Sequence, residues 1–116
     1  VGSIAGKEAY PKGNVYSASK AAVDSFTQGL RLDTNPYGLR IGAIHPGLVE
    51  TEFSEVRFKG DHQKAESVYS TITALTAADV ADAIAYMAEA PPHVTLADVT
   101  LLPTDQASAY VINRRS

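Results

Sequence analysis

"LRIGAIHPGLVET", residues 39–51, decides the fold. Its first part, Leu39 to His45, is short and mostly apolar and runs between two breakers, Gly38 and Pro46. A run of that length and composition is expected of a strand buried on both faces, the kind found in parallel sheets. Residues 46–60, by contrast, have no period. They hold Gly47 and Gly60 and read as a long loop leaving the strand's carboxyl end.

On the amino-terminal side, a helix is expected from about Ser17. Ala18, Ala22, Phe26 and Leu30 recur every four residues, and Ala21, Ser25 and Gly29 keep a neighbouring stripe small. Asn35-Pro36 and then Gly38 end it. Residues 1–14 form a glycine-rich loop with Pro11, Gly13 and Asn14 as breakers. On the carboxyl side, residues 61–73 suggest a short helix. Thr76-Ala77-Ala78-Asp79 then resembles a capping box, Val80, Ile84, Met87 and Ala88 make one apolar stripe, and Pro91-Pro92 stops it. Val94 to Leu102 is a second strand. The order helix, strand, loop, helix, strand requires crossover connections, so the fold class is α/β with a doubly wound parallel sheet. Such sheets bind ligands at the carboxyl ends of their strands, and the 46–60 loop leaves one of those ends.

Composition narrows the function. At 116 residues the chain holds one core, and 45% hydrophobic with 20% charged residues is ordinary for a globular protein. A formal net charge of -3 argues against a nucleic-acid partner, whose usual footprint is a basic face. The one clustered basic pair, Arg114-Arg115, reads as a solvated end. No cysteine is present, which removes disulfides and thiol nucleophiles and fits a reducing, cytoplasmic setting. His45, His62 and His93 lie far apart, none at the i,i+4 spacing of a helical metal pair, so no metal is expected. No apolar run approaches the roughly 20 residues of a membrane span. The chain opens Val1-Gly2-Ser3 without a methionine, as though cut from something longer.

Three motifs carry chemistry. Tyr16 and Lys20 stand at i,i+4, on one helix face with Cβ atoms about 6 Å apart. An ammonium beside a phenol favours phenolate, and a phenol so placed can pass a proton to or from a substrate oxygen. The same spacing also occurs on ordinary helix surfaces. Ser3 lies in "GSIAG", where small neighbours leave its hydroxyl open to a ligand oxygen, although a turn serine looks the same. "GSIAGKE" is not a phosphate loop, because the spacing between its glycines is one residue short and Glu8 follows Lys7. "PGLVET", residues 46–51, leaves the first strand with a stiff Pro46, a Gly47 that permits close backbone approach, and a hydroxyl at Thr51.

Taken together, Ser3, Tyr16 and Lys20 read as the Ser…Tyr-x-x-x-Lys signature, "YSASKAAV" as its helix start, and "PGLVET" as the Pro-Gly-x-x-x-Thr that comes after a later strand. In these features the chain resembles the classical short-chain dehydrogenases/reductases. The resemblance covers residues 1–116 as the carboxyl-terminal half of one Rossmann-like domain. "GNVYSASKAAV", "PGLVETEFSEVRFKGD" and "LTAADVADAI" resemble the NADP-dependent dehydrogenases of 3-hydroxy acids and of serine.

The resemblance implies roles. Tyr16 would be the general acid/base, Lys20 would tune it and hold the nicotinamide ribose, and Ser3 would bind the substrate oxygen. Pro46, Gly47, Val49 and Thr51 would line the nicotinamide of NADP, with NAD the alternative. Residues 52–70 would form a substrate lid, in which Arg57 suits a bidentate contact to a carboxylate. The reaction would be reversible hydride transfer between a secondary alcohol and the cofactor, in a homodimer or homotetramer. The family's glycine-rich cofactor turn and its Asn-Asn-Ala-Gly stretch are absent from these residues. The competing expectation is therefore a truncated, catalytically silent α/β fragment that only self-associates.

Overall fold

The computed structural model describes residues 1–51 and 72–114. A short 3₁₀ turn, Ile4–Gly6, leads to helix α1, Asn14–Thr34. A second 3₁₀ turn, Asn35–Tyr37, ends at Gly38, whose φ of 69° is the left-handed conformation that glycine adopts without strain. Strand β1 comes next at Ala43–Pro46, then helix α2 at Ala77–Ala88 and strand β2 at Asp98–Leu101. The two strands pair in parallel with Ala43 opposite Asp98 and Pro46 opposite Leu101. On the other edge of β1, the Gly2 N–H donates to the Ile44 carbonyl at 2.8 Å, so the residues before Ser3 run alongside the strand.

Side chains on a strand alternate between faces. His45 meets Asp24 of α1, whereas Ile44 lines a cleft with Ile84 and Met87 of α2. The two helices therefore cover opposite faces of the sheet, the doubly wound arrangement expected from the order of elements. All four β1 residues are buried, as a central strand requires. Among the described residues no helix is long and apolar enough to cross a membrane.

Several local expectations need correction. The paired part of the first strand is Ala43–Pro46 rather than Leu39 to His45, because residues 39–42 are tied elsewhere. Arg40 donates to the Ala88 and Ala90 carbonyls at the end of α2, and Gly42 sits so close to the Leu96 carbonyl that a Cβ would lie 2.4 Å from its oxygen. The second strand is likewise shorter, Asp98–Leu101. Helix α1 starts at Asn14, one turn earlier than Ser17.

The apolar stripe of α1 faces away from the sheet. Ala18, Ala22, Phe26 and Leu30 are exposed, Phe26 by 70%. The sheet instead receives Ser17, Asp24, Thr27 and Arg31. Arg31 holds this polar side to the sheet: its guanidinium donates to the carbonyls of Ile41 and Ala97, satisfying backbone oxygens just before β1 and β2. In α2, Val80 and Met87 are half-buried while Ala88 is exposed. The Thr76 capping box is present, with Asp79 N–H donating to Thr76 Oγ1 at 3.2 Å and Thr76 N–H to Asp79 Oδ2 at 2.8 Å. The expected 61–73 helix, most of the 46–60 loop and Arg57 lie outside the described residues, apart from residues 46–51 and 72–73.

Candidate active site

Three contacts set the direction of α1 against the sheet. Arg31 lies at the residues preceding β1 and β2, and Asp24 lies level with His45 near the end of β1. The helix therefore runs antiparallel to the strands. Tyr16, eight residues before Asp24 at about 1.5 Å per residue, falls beyond the carboxyl ends of the strands, and Lys20 falls between them. The Lys20 ammonium stands 5.6 Å from the centroid of the Tyr16 ring. Both side chains are half-buried.

Ser3 reaches this end of the sheet by two devices. The Gly2–Ile44 hydrogen bond lays its backbone beside β1, and Gly6 seats the next turn on α1. A Cβ on Gly6 would lie 2.7 Å from the Lys20 carbonyl carbon and oxygen, so only glycine permits this approach. Ser3 also caps its own turn, its Oγ accepting from the Ala5 N–H at 3.1 Å. A hydroxyl that accepts with its oxygen keeps its hydrogen for donation.

The Pro46–Thr51 segment leaves β1 in a fixed course. Gly47 N–H donates to the Leu101 carbonyl at 2.8 Å, and Leu48 N–H donates to the side-chain oxygen of Gln106 at 2.8 Å. Val49 bridges to Leu75, flanked by the bonds from Leu75 N–H to Leu48 and from Glu50 N–H to Leu75. Gln106 is only 6% exposed, and a Cβ on Gly47 would strike its Oε1 at 2.5 Å. Gln106 is thus a shaping residue that sequence reasoning missed, since a lone glutamine after a strand carries no local pattern. Tyr110 closes the far side: its hydroxyl donates to the Ala9 carbonyl, joining the carboxyl-terminal segment to the loop after Ser3.

Beneath this region lies a charged cluster that no sequence spacing revealed. Lys7 Nζ is 3.1 Å from Asp24 Oδ1 and 2.9 Å from Asp98 Oδ2. The hydrogen bond to Asp98, then that to Asp24, holds the Lys7 ammonium above the usual lysine range. The Lys7 hydrogen bond holds the Asp98 carboxyl below the usual carboxylate range. His45, fully buried, places Nε2 at 2.5 Å from Asp98 Oδ1 and 3.7 Å from Asp24 Oδ1.

Comparison with known proteins matches this arrangement. Residues 1–62 fit the family model described as short chain dehydrogenase. The chain is 44% identical over 115 residues to the NADP-dependent 3-hydroxy acid dehydrogenase of Schizosaccharomyces pombe, covering 99% of this chain and 44% of that protein. It is 46% identical over 114 residues to sulfoacetaldehyde reductase of Chromohalobacter salexigens, covering 97% and 45%. Among solved structures, the closed form of serine dehydrogenase complexed with NADP+ superposes with a TM-score of 0.90 at 43% identity, over 99% of this chain and 47% of that one. The chain thus spans a little under half the length of the relatives it matches. With the parallel sheet, the Tyr-Lys helix and the family match in agreement, the chain belongs to the short-chain dehydrogenase family.

Proposed function

We propose that this chain is the carboxyl-terminal half of an oxidoreductase that moves a hydride between NADP and the secondary alcohol of a small 3-hydroxy acid. The observation that carries the reading is the seating of Gly6 on the Lys20 backbone. It brings the Ser3 turn to the Tyr16–Lys20 helix at the end of the sheet where such folds bind ligands. The relatives named above as dehydrogenases and reductases, two of them with NADP in their names, support the cofactor and the reaction class.

The residues present fit the nicotinamide end of the cofactor and not its phosphates. Lys20 offers an ammonium for ribose hydroxyls, and Pro46, Gly47, Val49 and Thr51 offer a rigid strand-end wall with a hydroxyl. No glycine-rich turn that would cradle a pyrophosphate occurs in the sequence. When bound, the nicotinamide supplies the hydride acceptor or donor. In oxidation, Tyr16 takes the proton of the substrate hydroxyl as the C–H hydride departs, leaving a carbonyl. In reduction, Tyr16 returns that proton. Ser3 donates its hydroxyl hydrogen to the same oxygen and stabilises the charge that develops there. Lys20, whose ammonium stands 5.6 Å from the Tyr16 ring centroid, would hold the ribose hydroxyls. Arg57 binds the carboxylate.

The test is label transfer. A 3-hydroxy acid deuterated at C3 should pass its deuterium to the reduced cofactor, read by mass spectrometry on the full-length protein. Deuterium that stays on the acid would sink the reading. Arg57→Ala should raise KM for hydroxy acids by about tenfold or more with little change in kcat. An unchanged KM removes Arg57 from the substrate site.

A second surface supports self-association. Val15 and Phe26 of α1, eleven residues apart and so on one face of the helix, are exposed by 84% and 70%. An apolar helix face of this kind suits the homodimer or homotetramer that the family resemblance implies.

A further inference from the structure

The bonds that hold the segment after β1 are of two kinds. Gly47 N–H donates to the Leu101 carbonyl, Leu75 N–H to the Leu48 carbonyl and Glu50 N–H to the Leu75 carbonyl. These join backbone to backbone, so any residue but proline could make them. The bond from Leu48 N–H to Gln106 Oε1, at 2.8 Å, is different, because it needs an acceptor of that reach at position 106. Gln106 is held so that this atom stays in place. It is buried, and its own N–H donates to the Pro103 carbonyl at 3.0 Å. It bridges to Ile112 in the antiparallel sense, with Ala107 N–H on the Val111 carbonyl and Asn113 N–H on the Asp105 carbonyl at either side. Leu48 N–H can only donate, so the amide must present its oxygen. Gly47 leaves the room for it: a Cβ there would lie 2.5 Å from Oε1.

We propose that Gln106 is a positioning residue for the nicotinamide end of the cofactor, acting through Leu48 to fix the Pro46–Thr51 wall. This role rests on the NADP reading of the site. Removing the Oε1 acceptor leaves the Leu48 N–H without its partner and frees the wall to shift, and a displacement of about 1 Å is enough to spoil oriented contacts. The glycine at position 47 then has a reason inside the protein, because its missing Cβ admits the glutamine oxygen. The effect is confined to one end of the ligand. These residues offer a wall to the nicotinamide and no cradle to the phosphates, so loss of the Gln106 bond is felt at the nicotinamide alone.

That confinement supplies the test. On the full-length protein, two ligands are titrated by calorimetry: NADP, and adenosine 2′,5′-bisphosphate, which carries the adenine and the 2′-phosphate but no nicotinamide. Gln106→Met keeps the length of the side chain and offers only a weak thioether acceptor. It should raise the Kd for NADP about tenfold and leave that for the bisphosphate within about twofold of wild type. Gln106→Glu keeps an oxygen at the same reach and should bring NADP back to within about threefold of wild type. Gln106→Asn withdraws the oxygen by one carbon and stays polar. It should show the same one-ended loss, which keeps the test open if the Met variant fails to fold. A loss equal for both ligands would make Gln106 a residue of the fold only and overturn the role. So would NADP affinity unmoved in Gln106→Met and Gln106→Asn, or no rescue by a folded Gln106→Glu. A wild-type protein that binds the bisphosphate and not NADP would instead overturn the nicotinamide site itself, and this role with it.

Discussion

At the scale of single residues, the site depends on positions where a side chain is excluded. Gly6 is one: any Cβ there meets the Lys20 carbonyl, and the turn bearing Ser3 must then move off the helix. Gly6→Val should cost about 1–3 kcal/mol of stability by overpacking. In the proposed enzyme it should also lower kcat by more than tenfold while leaving cofactor affinity closer to wild type, as comparison of kcat with the cofactor Kd would reveal. Lys12 is the opposite case. It holds a φ of 65°, left-handed backbone that a residue with a Cβ enters at a cost of about 1 kcal/mol. Lys12→Gly removes that strain but loosens the unfolded chain, so denaturant unfolding should show a gain of no more than about 1 kcal/mol. A loss would mean that the Lys12 side chain stabilises the fold by more than its strain costs.

At the scale of elements, the sequence was legible where local chemistry writes the signal. Thr76 and Asp79 announced the start of α2, and both capping bonds are present. Thr76→Ala should therefore cost about 1 kcal/mol, measured by thermal or denaturant unfolding. The parallel pairing of β1 with β2 was also legible, from apolar runs separated by a helix. The buried face of α1 was not. Its apolar stripe through Phe26 points outward, because the sheet-facing side is polar and is held by Arg31 on two backbone carbonyls and by Asp24 on Lys7. A periodicity count rewards hydrophobic residues and cannot see a helix that docks through hydrogen bonds. Gln106 and the His45 cluster were illegible for a related reason: their partners come from distant parts of the chain. Tyr16, Lys20 and Ser3 stood out only as a set, since each alone is an ordinary surface residue.

At the scale of the whole molecule, charge links the loop after Ser3 to the sheet. The Asp98 carboxyl is lowered and the Lys7 ammonium raised, each chiefly by their mutual hydrogen bond. A lowered carboxyl stabilises the folded state above its unfolded pKa of about 3.9, and that stability is lost as pH falls through the folded value. A raised ammonium stabilises below about 10.4 and is lost as pH rises through its folded value. The melting-temperature gap between wild type and Lys7→Met should be flat between these limits and shrink outside both. A gap that stays constant at low pH would deny the Lys7–Asp98 pairing its part. The exposed α1 face belongs to this scale too, and Phe26→Glu should lower the assembly state seen by light scattering if that face joins subunits. The central claim is that Tyr16 moves the proton during hydride transfer. The most direct measurement is kcat of Tyr16→Phe against wild type, with NADP affinity measured alongside. A fall of about 100-fold or more with the cofactor still bound is the expected result, and turnover near wild type would contradict it.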